Sequence, residues 1–245
     1  MPRFFVPSEN FSDNKVKICG DDARHIARAL RMAVGDSLTV CDMQGRAHEC
    51  VLTKIRDEEC ELNIIETSEK NTESPLSISL YMGYPKGDKL ELIVQKAVEL
   101  GVLKVVPFES SRCVKRPNAD KAEKQTARLS KIANEASKQC GRSRLTEICA
   151  PIPFSSALEL AKKENTTLLF CYEGDGTVSL KSAISKVKPG DSVALFVGTE
   201  GGFSEDEVEM ARSLGLTIVN LGPRILRCET APIYALSAIS YELEL

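Results

Sequence analysis

Two glycine-bearing segments near the C-terminus carry the residues of this chain that are best suited to chemistry. The first reads G-T-E-G-G-F-S at 198–204, and the second reads L-G-P-R-I-L-R-C-E-T-A at 221–231. Glycine allows tight turns through which backbone amides can reach a small ligand. The arginines and glutamates around these turns are either ion-paired structure or residues of a site, so the segments predict a ligand-binding crevice with charged walls.

Each segment follows an apolar run that is typical of a buried strand. Residues 193–197 precede the first segment, and residues 216–221 lead into the second. In a parallel sheet, ligands bind in the crevice outside the carboxyl ends of the strands. Either segment alone could be an ordinary turn, but the two together favour a shared binding site.

The helix expected after the first segment begins with negative charge. Ser204 and Glu207 have the spacing of a capping box, and Glu205 and Asp206 lie in the same turn. A bound phosphate needs the positive end of a helix dipole free. Neither a Walker-type nor a Rossmann-type glycine motif occurs. A ligand without phosphates is favoured, and a cationic one such as S-adenosylmethionine would not be repelled, although charge alone does not single it out.

Composition limits the class of protein. The 245 residues are 42% hydrophobic and carry a net charge of −3, so we expect one or two domains with no overall attraction to nucleic acid. No apolar stretch suits a membrane span and no signal-peptide pattern is present, so we expect a cytoplasmic protein without a membrane partner. Nine cysteines without a C-x-x-C pair, and only two histidines, predict reduced thiols and no metal site.

Two regions with different patterns predict two domains, at 1–70 and 75–245, joined by the polar stretch 69–75. The first region alternates short apolar and polar runs around a helix expected at 23–31. Its strands are expected at 15–18, 38–42, 48–55 and 60–66. The second region alternates strands with helices, including helices at 86–100 and 120–140. This alternation predicts an α/β domain with a mostly parallel sheet and helices on both faces.

With these segments the chain resembles the RsmE family of 16S ribosomal RNA uridine-N3 methyltransferases, within the SPOUT superfamily. The resemblance covers essentially the whole chain. Apart from the two C-terminal segments it is carried by M-P-R-F-F-V at 1–6, H-I-A-R-A-L-R-M at 25–32, K-G-D-K-L-E-L-I-V-Q-K-A-V-E-L-G-V at 86–102 and E-A-S-K-Q-C-G-R-S at 135–143. The family usually has Pro where this chain has Thr199, and often Thr where it has Cys228. These departures leave the charged and glycine positions intact.

The resemblance implies features that periodicity cannot show. It implies an N-terminal PUA-like β-barrel and a C-terminal SPOUT domain whose last helix passes through a loop to form a trefoil knot. It also implies that S-adenosylmethionine binds at the knot and that two copies form a homodimer through the knot helices. The residues expected to bind this donor are Gly198, Gly201, Gly202, Leu221, Gly222, Ile225, Leu226 and Thr230.

Methylation of uridine N3 predicts roles for the charged side chains. Removing the imide proton leaves negative charge on the neighbouring carbonyl oxygens, so the site needs a positive group and a proton acceptor. Arg227 is the first choice for the positive group and Arg142 the second. Glu200 or Glu229 would accept the proton or merely hold an arginine. The uridine itself must be single-stranded or flipped out of its stack.

Basic clusters predict where 16S rRNA, free or within the small ribosomal subunit, would bind. Three arginines of the first helix would share one face, which suits phosphate oxygens but also occurs on ordinary solvated surfaces. The resemblance implies that Glu135 and Gln139 of the long helix are substrate-pocket residues. Without the resemblance, they are ordinary polar residues near a helix end. The residues expected to contact RNA are Arg24, Arg28, Arg31, Arg112, Lys115, Arg116, Glu135 and Gln139.

Two other functions are compatible with the same residues. A SPOUT enzyme could methylate another RNA position, such as a ribose 2′-hydroxyl, although the M-P-R-F-F-V start favours the N3 enzyme. A non-catalytic RNA-binding factor for ribosome assembly could keep the fold, although the intact glycine and charged positions argue against it. Calorimetric titration with S-adenosylmethionine would separate an enzyme from a binding module.

Overall fold

The computed structural model describes residues 1–56, 58–68, 72–114 and 119–244, and it forms two compact units. The first unit consists of Met1–Glu73 and Ser137–Leu145, and the second of Ser74–Ala136 and Thr146–Leu245. Lys115 and Arg116, two of the residues expected to contact RNA, lie outside the described residues.

A six-stranded sheet forms the body of the first unit. Its strands are β1 (Arg3–Phe5), β2 (Phe11–Ser12), β3 (Lys15–Cys19), β4 (Ser37–Cys41), β5 (Ala47–Ile55) and β6 (Glu59–Ser68). They lie in the order β1-β4-β5-β6-β3-β2, with β1 parallel to β4 and the other pairs antiparallel. Side chains alternate between core and solvent along β3, where Val16 and Ile18 are buried. The four strands predicted in this region are confirmed as β3, β4, β5 and β6.

The first helical segment differs from the prediction at its end. α1 (Asp21–Arg24) continues into a π-helical turn, His25–Ala29, and Arg31 then adopts a left-handed backbone with φ 51°. The expected helical stripe of three arginines is therefore broken at its last position. Arg24 forms ion pairs with Asp21 and Glu58, while Arg28 lies in the π-helical turn.

The second unit contains an eight-stranded sheet whose paired strands are all parallel. The strands are β7 (Ser77–Gly83), β8 (Lys104–Glu109), β9 (Glu147–Ile148), β10 (Ile152–Pro153), β11 (Thr167–Cys171), β12 (Val178–Ser179), β13 (Ser192–Val197) and β14 (Thr217–Asn220). The order is β10-β8-β7-β13-β11-β14-β12, with β9 beside β8. The predicted α/β class with a mostly parallel sheet is confirmed.

Helices connect these strands. They are α2 (Lys89–Glu99), α3 (Ala119–Cys140), α4 (Phe154–Glu164), α5 (Leu180–Ile184), α6 (Glu205–Ser213) and α7 (Thr230–Glu244). Helix α2 buries the apolar stripe that predicted it, but it begins at Lys89 because Gly87 has φ 65° and cannot continue a right-handed helix. Among the described residues, no helix is both long and apolar enough to cross a membrane. The knot that the resemblance implies stays a prediction.

A cluster of buried aromatic rings anchors the first glycine segment to the core of the second unit. Phe203 is only 2% exposed, and its ring centroid lies 4.1 Å from that of Phe170 and 5.8 Å from that of Phe154. Phe108 and Phe196 belong to the same cluster. Because aromatic rings bury large apolar areas, Phe203 fixes the end of the turn against the sheet.

Candidate active site

A cavity of about 400 Å³ lies at the carboxyl ends of three neighbouring strands in the second unit. β11 lies between β13 and β14, so the residues after β11 are flanked by the two glycine segments. Its lining comprises Lys89, Cys171, Tyr172, Glu173, Val197, Gly198, Thr199, Glu200, Gly202, Phe203, Asn220, Leu221, Gly222, Arg224, Ile225, Leu226, Arg227, Cys228 and Ala231. The predicted shared crevice is therefore present, and its volume suits a small organic ligand.

The first glycine segment is folded too tightly to accept side chains at its glycines. A Cβ at Gly198 would lie 3.1 Å from the backbone of Gly202, and Gly202 itself has φ 62°. The amide of Gly202 donates to the carbonyl oxygen of Thr199 over 3.0 Å, which closes the turn. Gly83, at the end of β7, supports the turn from behind, because a Cβ there would lie 2.8 Å from the amide nitrogen of Thr199.

The start of helix α6 is closed by its own carboxylate. The Ser204 side chain accepts from the amide of Glu207, and Glu207 Oε2 accepts from the amide of Ser204 over 2.9 Å. The other carboxylate oxygen of Glu207 accepts from the amide of Ser111 over 2.6 Å, and Glu207 is 7% exposed. The predicted capping box is confirmed. A buried carboxylate already satisfies the positive end of this helix, which leaves it unsuited to a phosphate.

Lys89 forms ion pairs with one glutamate from each glycine segment. Its Nζ lies 2.9 Å from Glu200 Oε1 and 3.5 Å from Glu229 Oε2. The hydrogen bond to Glu200 raises the pKa of Lys89. Burial raises the pKa of Glu200, but the hydrogen bond from Lys89 and nearby backbone amides outweigh it and lower that pKa. The backbone amide of Glu229 lowers the pKa of its own carboxyl, with further help from Cys228 and Lys89. Both carboxylates are thus held ionised.

Cys228 completes this cluster as a neutral thiol. Its Sγ donates to Glu229 Oε2 over 3.3 Å and lies 3.8 Å from Lys89 Nζ. Burial, and then the hydrogen bond to Glu229, raise the pKa of Cys228 to about 12. A thiol with such a pKa is a hydrogen-bond donor at neutral pH and not a nucleophile.

Comparison with known proteins identifies the family. Residues 72–240 match the family model described as RNA methyltransferase domain, and residues 18–65 match the one described as RNA methyltransferase PUA domain. The ribosomal RNA small subunit methyltransferase E of Bacillus subtilis is 37% identical over 231 residues, which are 93% of this chain and 90% of that protein. The chain belongs to the ribosomal RNA small subunit methyltransferase E family.

Other members of this family match over nearly the full length. The Synechocystis protein is 29% identical over 99% of this chain and 78% of its own length. The crystal structure of the Neisseria gonorrhoeae methyltransferase E, bound to S-adenosyl methionine, has a TM-score of 0.85 at 33% identity. The match covers 99% of this chain and 98% of the Neisseria gonorrhoeae chain. The predicted family, and the PUA and SPOUT architecture that it implied, are confirmed.

Most of the residues predicted to bind the donor line the cavity of this family member. They are Gly198, Gly202, Leu221, Gly222, Ile225 and Leu226, and Ile225 is 86% exposed. Two do not line it. Thr230 is the first residue of α7, and Gly201 faces away, since a Cβ there would lie 3.2 Å from Arg112 Cβ. Arg112, which we expected to contact RNA, donates from Nη1 to the carbonyl oxygen of Gly201 over 2.9 Å and so braces the turn.

The predicted catalytic residues fall in different places. Glu200 and Arg227 line the cavity, and Glu229 lies behind it in contact with Lys89. Arg227 is exposed, and its carbonyl oxygen accepts from the amides of Thr230 and Ala231 where α7 begins. The backbone of Arg227 is therefore fixed by the helix start while its guanidinium remains at the surface.

Arg142 belongs to the first unit and is buried there, 3% exposed. Its Nη2 and Nε donate to Glu73 Oε2 over 2.6 and 3.1 Å, and Glu73 Oε1 accepts from the amides of Ser143 and Arg144. Burial raises the pKa of Glu73, but the Arg142 guanidinium and these amides outweigh it and lower the pKa. This geometry is that of a structural ion pair, and a catalytic role for Arg142 stays a prediction.

The remaining residues predicted to bind RNA are on the surface. Glu135 and Gln139 are exposed on α3, and Arg24 and Arg28 lie on the first helical segment. Nearby in the first unit, Lys138 Nζ lies 3.6 Å from Asp22 and 5.5 Å from the centre of the Phe4 ring. Their contact with RNA stays a prediction.

Tyr172 and Glu173 are among the cavity residues that sequence reasoning missed. They follow β11, the strand between the two glycine segments, and directly precede Gly174. The signal that could have found them is their position directly after a buried strand, at the carboxyl edge where ligands bind. Among the described residues, no group of His, Cys, Asp and Glu is arranged to hold a metal ion.

Proposed function

We propose that this protein transfers a methyl group from S-adenosylmethionine to N3 of a uridine in 16S ribosomal RNA. The observation that carries the proposal is the cavity formed by the two glycine segments at the carboxyl edge of the parallel sheet. The family membership supports it, as does the S-adenosyl methionine bound to the Neisseria gonorrhoeae relative.

The residues of the cavity fit this donor. Its volume of about 400 Å³ lies in the range of cofactor pockets. Gly198 and Gly202 keep the turn free of side chains, so that backbone amides and carbonyls remain available for the donor. Glu207 occupies the helix start where a phosphate would otherwise bind, which favours a ligand lacking phosphates. The donor supplies an electrophilic methyl group on its sulfonium.

Charged side chains in and beside the cavity would assist removal of the N3 proton from the uridine or hold the site together. Arg227 is exposed on a fixed backbone, so its guanidinium can stabilise negative charge on a uridine carbonyl oxygen as the N3 proton leaves. Glu200 and Glu229 have lowered pKa values, which makes them weak proton acceptors. We therefore assign them to holding Lys89 and the two glycine segments, and the N3 proton would pass to water while the donor would be left as S-adenosylhomocysteine.

Substrate and assembly complete the proposal. The basic residues of the first helical segment would contact rRNA phosphates. The target uridine would enter the cavity in an unpaired state. Two copies would associate through α2 and α7, which pack together and expose Tyr241 and Leu92, 72% and 43% accessible. Such a homodimer would act in the cytoplasm on 16S rRNA or on the small ribosomal subunit.

The test is methylation of small ribosomal subunits that lack the mark. Purified protein and isotopically labelled S-adenosylmethionine are incubated with these subunits or with free 16S rRNA, and the nucleosides are analysed by mass spectrometry. We expect one labelled 3-methyluridine per RNA molecule. Label on a ribose 2′-oxygen would support the alternative SPOUT activity, and donor binding without transfer to either RNA would contradict the proposal.

A further inference from the structure

Lys89 occupies an unusual position for a lysine. It is the first residue of helix α2, where a positive charge opposes the helix dipole. Glu91 is the acidic residue of that first turn, but Lys89 instead points its ammonium at two carboxylates from distant parts of the chain. A lysine in this position therefore needs these partners to offset the unfavourable dipole.

The two partners belong to the two glycine segments. Glu200 lies within the turn after β13, and Glu229 directly precedes α7 at the end of the second segment. The backbone amide of Lys86 also donates to Glu200 Oε1, over 3.3 Å, so the start of α2 holds the first turn through both main chain and side chain. One ammonium thus contacts both glycine segments.

Without the ammonium, these walls would repel each other. One oxygen of each carboxylate lies near the same nitrogen, at 2.9 and 3.5 Å, so these two oxygens are at most about 6.4 Å apart. They are only partly exposed, with 32% and 19% of their side-chain surface accessible, so solvent screens their repulsion incompletely. Cys228 donates to Glu229 but is neutral and cannot replace the positive charge.

We propose that Lys89 is a positioning residue that bridges Glu200 and Glu229 and thereby sets the spacing of the two donor-binding segments. The proposal rests on the proposed function, because it assigns the cavity to the methyl donor. The bridge should affect donor affinity and fold stability to different extents. A partly exposed ion pair adds little to the stability of a fold, whereas pre-organised cavity walls reduce the ordering cost of binding. Lys89 should therefore matter more for donor affinity than for thermal stability.

The test is calorimetric titration of full-length variants with S-adenosylmethionine, with melting temperatures measured in parallel. Lys89→Met should bind the donor roughly tenfold more weakly, the scale of losing charge-assisted contacts. Lys89→Arg, which keeps the charge, should recover most of that loss. The matched control is Lys96→Met on the same helix, because Lys96 forms an ion pair with Glu99 one turn away and does not line the cavity, so its donor affinity should equal that of the wild type.

A second set of variants distinguishes a bridge from direct contact between Lys89 and the donor. Either Glu200→Gln or Glu229→Gln breaks the bridge, so each should weaken binding and the double variant should lose little more than one of them. If both single variants bind like the wild type while Lys89→Met does not, Lys89 contacts the donor itself and the bridge is refuted. Equal affinity of Lys89→Met and wild type also refutes it. A wild type that gives no heat with the donor would instead refute the proposed function.

Discussion

Replacing Gly83 with alanine adds one methyl group beside the turn that we propose to bind the donor, without entering the cavity. The new Cβ would lie 2.8 Å from the amide nitrogen of Thr199, 2.9 Å from its Cγ2 and 3.1 Å from the carbonyl carbon of Gly198. Gly83 does not have a positive φ, so alanine adopts its backbone conformation without strain. The perturbation is therefore a steric contact with Thr199 and with the main chain of Gly198 in the first glycine segment.

The size of the effect follows from these distances. Carbon and nitrogen atoms pack at about 3.5 Å, so the turn must move by roughly 0.7 Å. Overpacking of this kind costs about 1–3 kcal/mol, which in a chain of this length lowers the melting temperature by roughly 2–12 °C. Because the displaced atoms belong to Gly198 and Thr199, which line the cavity, we expect S-adenosylmethionine to bind roughly tenfold more weakly.

A second glycine variant separates loss of affinity from loss of stability. Gly215 precedes β14 at the end of the strand remote from the cavity and has φ 88°, and no described atom beyond its chain neighbours lies within 4 Å of where a Cβ would be. Gly215→Ala should cost about 1–2 kcal/mol through backbone strain alone and leave donor affinity unchanged. Thermal denaturation and calorimetric titration of both variants check the prediction. If Gly83→Ala is destabilised but binds the donor like Gly215→Ala, the turn after β13 does not form the donor site.

Three further predictions concern other parts of the molecule. Glu73→Gln should lower the free energy of unfolding in urea by about 3 kcal/mol at pH 7, because it removes the carboxylate that pairs with the buried Arg142. The pKa of Glu73 is lowered in the folded protein, so this carboxyl stabilises the fold only while it is ionised. The stabilities of wild type and variant should therefore converge as the pH falls below 4.5, the ordinary pKa of a glutamate. Iodoacetamide should label exposed Cys19 and spare Cys228, whose pKa is raised to about 12; rapid labelling of Cys228 in the native protein, read by peptide mass spectrometry, would contradict its burial. Replacing Arg28 and Arg31 with alanine should weaken RNA binding and reduce its salt dependence while sparing donor binding; an unchanged salt slope would exclude these arginines from the RNA interface.

Local sequence signals predicted the elements that depend on local physics. The capping box of Ser204 and Glu207 and the long helix α3 followed from spacing and periodicity. The strands β9, β10 and β12 have only two residues each, which is too short to show any period. They exist because a neighbouring strand supplies hydrogen-bond partners, which is information that no local window contains.

The charged residues show the same limit. Arg227 and Glu200 could be proposed from their place beside glycine turns, but Lys89 could not, because its partner Glu229 lies far away in the sequence. The polar composition of residues 69–75 predicts a linker. Its residue Glu73 is instead buried against Arg142, a contact that becomes visible only when the fold brings the two together.

The assignment of residues 137–145 to the first unit has a consequence for dissecting the protein. A fragment that stops at Glu73 would retain this buried carboxylate while losing Arg142 and the amides of Ser143 and Arg144 that neutralise and solvate it. Arg3, whose Nη1 donates to the carbonyl oxygen of Arg142, would lose that acceptor as well. An autonomous N-terminal unit should therefore be made by tethering the 137–145 peptide to the N-terminal residues, and simple truncation should yield a species prone to unfolding in mild denaturant.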